Sequence, residues 1–134
     1  MIKYYKAWIS YFALLAIINI LGIASIPFTV ENSTFFEVIW HVVTLIGLVG
    51  LFGYIKQVKI GSPVFWSAFL LVDLTLYFGT AVYGHLEAVK LYGELGKATS
   101  KNYELRVMLP LFIFLIPYWY GIFQYGFKSK TLWK

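Results

Sequence analysis

The chain has 134 residues, of which 60% are hydrophobic, 21% aromatic and 13% charged, with a mean hydropathy of +0.75. A soluble domain carries roughly 25% charged residues, and a chain this short buries too small a share of its surface to hide so much apolar area from water. The net charge of +5 comes from short basic clusters rather than one extended basic face, so nucleic acid is excluded as a partner and the lipid bilayer is the expected one.

The first uncharged run covers residues 7–30, after Lys3 and Lys6. A membrane-spanning helix needs about 20 apolar residues, and Pro27 predicts that this one ends near Ser25 or Ile26, giving a helix over about 7–26. Ala16, Asn19 and Gly22 recur at a spacing of three and mark a packing face. The segment ending Gly22-Ile23-Ala24, after Lys3 and Lys6, also resembles a signal peptide with a small-residue cleavage site. The run is long for such a peptide, rich in aromatics and contains Asn19, so it is read as a retained span.

The second run, residues 38–55 between Glu37 and Lys56, predicts a helix over about 37–56. Its packing face is Trp40, Thr44, Gly47, Gly50 and Tyr54, with His41 on an adjoining side.

The third run, residues 60–86, holds a single charge, Asp73. Ser62 as N-cap and Pro63 as first helical residue place its start. Steps of four and three connect Asp73, Tyr77, Thr80, Gly84, Glu87, Lys90 and Glu94, and the stripe runs on to Lys97, Lys101 and Glu104. A helix over about 63–92 that projects beyond the lipid boundary fits this stripe, with Lys90 and Glu94 paired at i,i+4 and fraying at Gly93 and Gly96. The alternative is a short interfacial amphipathic helix that turns Ala88, Leu91, Tyr92 and Leu95 to lipid.

The fourth run, residues 107–127 between Arg106 and Lys128, predicts a helix over about 106–127. Pro110, Phe114, Pro117, Gly121 and Gln124 form its packing face. Pro117, near mid-span, removes the donor for the carbonyl of Ile113 and predicts a kink.

The fold class expected is thus an all-α membrane protein, one domain built as a four-helix transmembrane bundle. Orientation follows the basic residues. Lys3, Lys6, Lys56, Lys59, Lys128, Lys130 and Lys134 lie on one side, seven of the eleven Lys and Arg in the chain. Both termini are expected on the cytoplasmic side of a cell membrane, and the third helix projects from the other. Interfacial aromatics, among them Trp8, Trp40, Trp66 and Tyr125, agree with these boundaries.

Asp73 is the candidate site. A charge at mid-span costs at least about 2.5–3.5 kcal/mol and usually faces the bundle interior. The sequence offers no Lys or Arg at that depth. Two readings follow: a protonated Asp73 hydrogen-bonded to Asn19 or Tyr77, or a titrating proton or cation site assisted by Asn19, Tyr77 and Thr80. His41 and His85, near Glu37 and Glu87, match no metal-ligand spacing, and neither a metal nor another cofactor is expected. The chain has no cysteine, and no nucleophile elbow, P-loop, dinucleotide fingerprint or carboxylate pair is present, so no enzyme is expected.

In size and span number the chain resembles the small multidrug-resistance transporters, which are four-helix dimers. That resemblance implies architecture alone: the essential carboxylate of that family stands in the first helix, where this chain has Asn19, whereas Asp73 is in the third. Two function classes remain. One is an accessory, regulatory or assembly component that works through the helix faces of Gly22, Gly47, Gly50 and Gly121, as a homo-oligomer or with a partner membrane protein. The other is a dimeric transporter or channel module that uses Asp73 and the Pro117 kink.

Overall fold

The computed structural model describes residues 4–25, 34–93 and 100–133, with side chains described for 4–25, 38–83, 86, 109–129 and 132–133. The described residues are helical and contain no strand. In lipid every backbone N–H and C=O must find its partner inside the chain, which a helix arranges within itself.

Four long helices follow one another: α1 (Tyr5–Ser25), α2 (Thr34–Lys56), α3 (Pro63–Gly93) and α4 (Ser100–Phe123). α4 passes without interruption through Pro110 and Pro117 and runs into a π-helical turn, Gln124–Lys128, before a short helix α5 (Lys130–Trp133). Over Tyr5–Ser25, Val38–Lys56 and Pro63–Tyr83 the first three helices are long and apolar enough to cross a membrane. α3 does not stop there. Its 31 residues extend about 46 Å at 1.5 Å per residue, well beyond a hydrocarbon core of about 30 Å.

Local signals set the ends. Ser62 Oγ accepts the N–H of Phe65 at 3.1 Å, so it caps α3 at the third helical residue, with Pro63 at the first. α2 ends in a 6→1 and 5→2 pair of bonds, Val58 N–H to Gly53 O at 3.1 Å and Gln57 N–H to Tyr54 O at 3.3 Å. The residue in the left-handed conformation that this ending requires is Gln57, at φ 55°, rather than a glycine.

α2 and α4 form the centre of the bundle, α1 flanks α2, and α3 flanks α4. Leu51 and Ile122, from the two central helices, are both fully buried. A row of glycines on α2 makes this packing possible. A Cβ on Gly47 would overlap the Tyr118 ring and hydroxyl, one on Gly50 the Trp66 ring, and one on Gly53 the Tyr125 ring. The small residues therefore admit aromatic rings from α4, α3 and the π-turn, rather than a second helix backbone. Gly22 does the same for His41, and Gly121 takes the end of Leu51. On α4 the buried face is Leu115, Tyr118, Trp119 and Ile122. Pro110, expected on that face, is exposed, because the face rotates away from the steps of three and four that joined it to Phe114.

One end of the bundle is closely tied. Tyr125 is fully buried, accepts the N–H of Ile60 at 2.9 Å and donates its hydroxyl to Val58 O. Trp66 donates to Ile60 O, and Trp133 donates to Tyr125 O at 2.8 Å. Gly126 lets the π-turn rest against the backbone of Ser67. Lys56 Nζ donates to Tyr5 Oη at 2.8 Å and joins the start of α1 to the end of α2.

Candidate functional site

Asp73 lies ten residues after Pro63, about 15 Å along α3 and so near the middle of the Pro63–Tyr83 segment. It is 4% exposed and faces α4. There Trp119 Nε1 donates to Asp73 Oδ2 at 2.8 Å, a buried bond that joins the two helices. The indole is held in place by rings: Tyr77 meets it edge-on with centroids 5.0 Å apart, and Phe112 packs at 5.6 Å. Tyr118 lies near the same carboxyl but outside hydrogen-bond geometry. The Tyr77 and Tyr118 hydroxyls are buried without a hydrogen-bond partner.

Of the residues grouped with Asp73 from the sequence, Tyr77 is its neighbour one turn along α3, but its hydroxyl does not bond the carboxyl. Thr80 is exposed, and its hydroxyl donates to its own helix, to Leu76 O at 2.8 Å. Asn19 is buried but stands elsewhere: it lines a crevice between α1, α2 and α4 with His41 and Thr44, and Asp73 does not line that crevice. The helix order accounts for the separation. α1 packs chiefly on α2 and α3 on α4, which places Asn19 and Asp73 on different flanks of the central pair.

Pro117 has a neighbour from α1. Tyr11 donates its hydroxyl to Phe114 O at 2.8 Å, one residue beyond the carbonyl that Pro117 leaves without its helical donor. The side chains of His85, Glu37 and Glu87, and of the stripe from Gly84 through Glu104, lie outside the described residues, so the expected metal-free reading of that end and the Lys90–Glu94 pair lie there too.

Trp119 is the residue that sequence reasoning missed. A signal for it existed. An indole N–H in an apolar span is a donor that must find an acceptor, and Asp73 is the one carboxylate within the four uncharged runs. Chemically the arrangement is a neutral aromatic cradle around a carboxyl group that accepts a hydrogen bond. Among the described residues it holds no second carboxylate and no cation.

Comparison of the chain with protein-family models, with curated proteins and with solved structures gives no match.

Proposed function

We propose that the chain is a non-enzymatic, multi-pass protein of the cell membrane with four spans and both termini in the cytoplasm. In this reading it serves as an accessory, regulatory or assembly component through its helix faces, with itself or with a partner membrane protein. The observation that carries the reading is that Asp73, the most costly group to place in lipid, is engaged by Trp119 as an interhelical tie. The shallow, mostly apolar exterior, with Ile17, Ile20 and Leu21 on α1 and Leu71 and Val72 on α3 all more than half exposed, supports a lipid or protein environment on every side.

The natural absence of cysteine makes orientation easy to test. Single cysteines at Lys6, Lys59 and Lys128, all exposed, should react with an impermeant maleimide only after the cytoplasmic side is opened. For function, a deletion strain should be complemented by the Asp73→Asn variant and not by Gly47→Leu. The competing reading, a proton- or cation-coupled module, requires water at Asp73, and its burial weighs against that. Proton flux in vesicles that is present with the natural chain and abolished by Asp73→Asn would establish the competitor instead.

A further inference from the structure

Asn19 is 4% exposed, and its Oδ1 has no hydrogen-bond partner. His41 Nδ1, on the neighbouring helix, is also buried without one. Both residues line one crevice of about 70 Å³ between α1, α2 and α4. Its third polar residue, Thr44, is already committed, its hydroxyl donating to Trp40 O at 2.9 Å. Apart from the Trp40 indole the remaining lining is apolar, and its exposed members, Ile18 and Leu111 at 48% and 42%, mark its outer side. Nearer the tied end α1 and α4 are in contact through Trp8 and Tyr120, stacked with centroids 6.3 Å apart, so the opening is confined to the other half of the helices.

We propose that this crevice receives the hydroxyl end of an alkyl alcohol dissolved in the bilayer, a proposal that rests on reading α1 and α4 as membrane spans. The chemistry of the lining selects that class. Asn19 Oδ1 is an acceptor and needs a donor, and an imidazole nitrogen such as His41 Nδ1 can also hydrogen-bond a hydroxyl. Among the described residues no charged side chain lines the crevice, which disfavours a phosphate or an ammonium head. Two candidate ligands without a carboxylate or thiolate make a poor metal site. The crevice is roomy enough to admit a hydroxyl and its first carbons. The alkyl chain leaves past Ile18 and Leu111 into lipid.

The test uses the full chain in phosphatidylcholine nanodiscs with three photoreactive probes. These are a long-chain alcohol with a diazirine near its hydroxyl, the methyl ether of the same molecule, and a diacylglycerol with a diazirine near its hydroxyl. The alcohol should label Leu15, Ile18, Leu111 and Leu115 several-fold more than the ether, which cannot donate to Asn19. Asn19→Leu should reduce labelling by the alcohol to the ether level. Ile18→Trp, at an exposed position that leaves the core untouched, should block the crevice and do the same. Labelling by the diacylglycerol would make a membrane lipid the source, and its failure beside the alcohol's success would make it a single-chain alcohol; hydroxyl recognition holds in both. Equal labelling by alcohol and ether, or alcohol labelling unchanged by Ile18→Trp, overturns the proposal. Ether labelling of Ile17 and Leu21, exposed on α1, reports separately whether that helix lies in the bilayer.

Discussion

Trp119 on α4 donates its indole N–H to Asp73 on α3 across 2.8 Å, with the two residues only 8% and 4% exposed. An asparagine at position 73 keeps a carbonyl acceptor, whereas a leucine leaves a buried N–H with nothing to bond. Asp73→Asn should therefore change unfolding free energy in mixed micelles little, and Asp73→Leu should cost about 1–2 kcal/mol. A double-mutant cycle of Asp73→Leu with Trp119→Phe should return a coupling of about 0.5–1.7 kcal/mol. A coupling indistinguishable from zero would mean that the bond contributes nothing to the folded state.

The glycine row on α2 separates close approach from helix propensity. Gly47→Ala places a methyl group on the Tyr118 ring and should destabilise by about 1–3 kcal/mol through overpacking. Gly79, on α3, has nothing within 4 Å of its Cβ position. Gly79→Ala should therefore be neutral or stabilise by up to about 1 kcal/mol. Tyr118→Phe should recover part of the loss in Gly47→Ala, since the hydroxyl is the nearest atom to the new methyl. The same unfolding assay reads all three.

Tyr125 closes the connection between α2 and α3 with one hydroxyl that accepts from Ile60 and donates to Val58. Tyr125→Phe keeps the ring in its Gly53 notch and removes both bonds. The amide of Ile60 should then exchange with deuterium faster, and stability should fall by about 1–3 kcal/mol. Unchanged exchange at Ile60 would show that the ring alone holds the connection.

Much of the fold was legible in the sequence. Ser62 and Pro63 fixed the start of α3 because a cap and its proline act locally. Asp73 was expected to face inward because the cost of a carboxyl in lipid depends on little else. Its partner is an indole rather than an amide or a hydroxyl, and nothing in the spacing of the third helix points to a residue on the fourth. Asn19 and Asp73 were grouped as two polar residues at depth, but uncharged runs carry no signal about which helix lies beside which. Thr80 shows the limit of stripe reasoning: three residues beyond Tyr77, it already faces outward.

Gln57 occupies a left-handed position that suits glycine, at φ 55°. Gln57→Gly removes that strain, about 1–2 kcal/mol for an ordinary residue, but loses the bond from Gln57 Nε2 to Tyr54 O. The net should be a gain of about 0.5–1 kcal/mol, measured as resistance of the folded chain to sodium dodecyl sulfate. A loss would show that the side-chain bond outweighs the backbone strain.

The three notches of α2 also set a timetable. Tyr118 and Tyr125 follow Gly47 and Gly53 in the chain by 71 and 72 residues, and Trp66 follows Gly50 by 16. During synthesis α2 thus emerges well before two of the rings that fit it, and lipid tails must stand in for them until the last helix is delivered. A ribosome stalled before Tyr118 would leave α2 packed on α1 but with one occupant of its three notches. The final quarter of the chain supplies two of the three rings that seat the second helix.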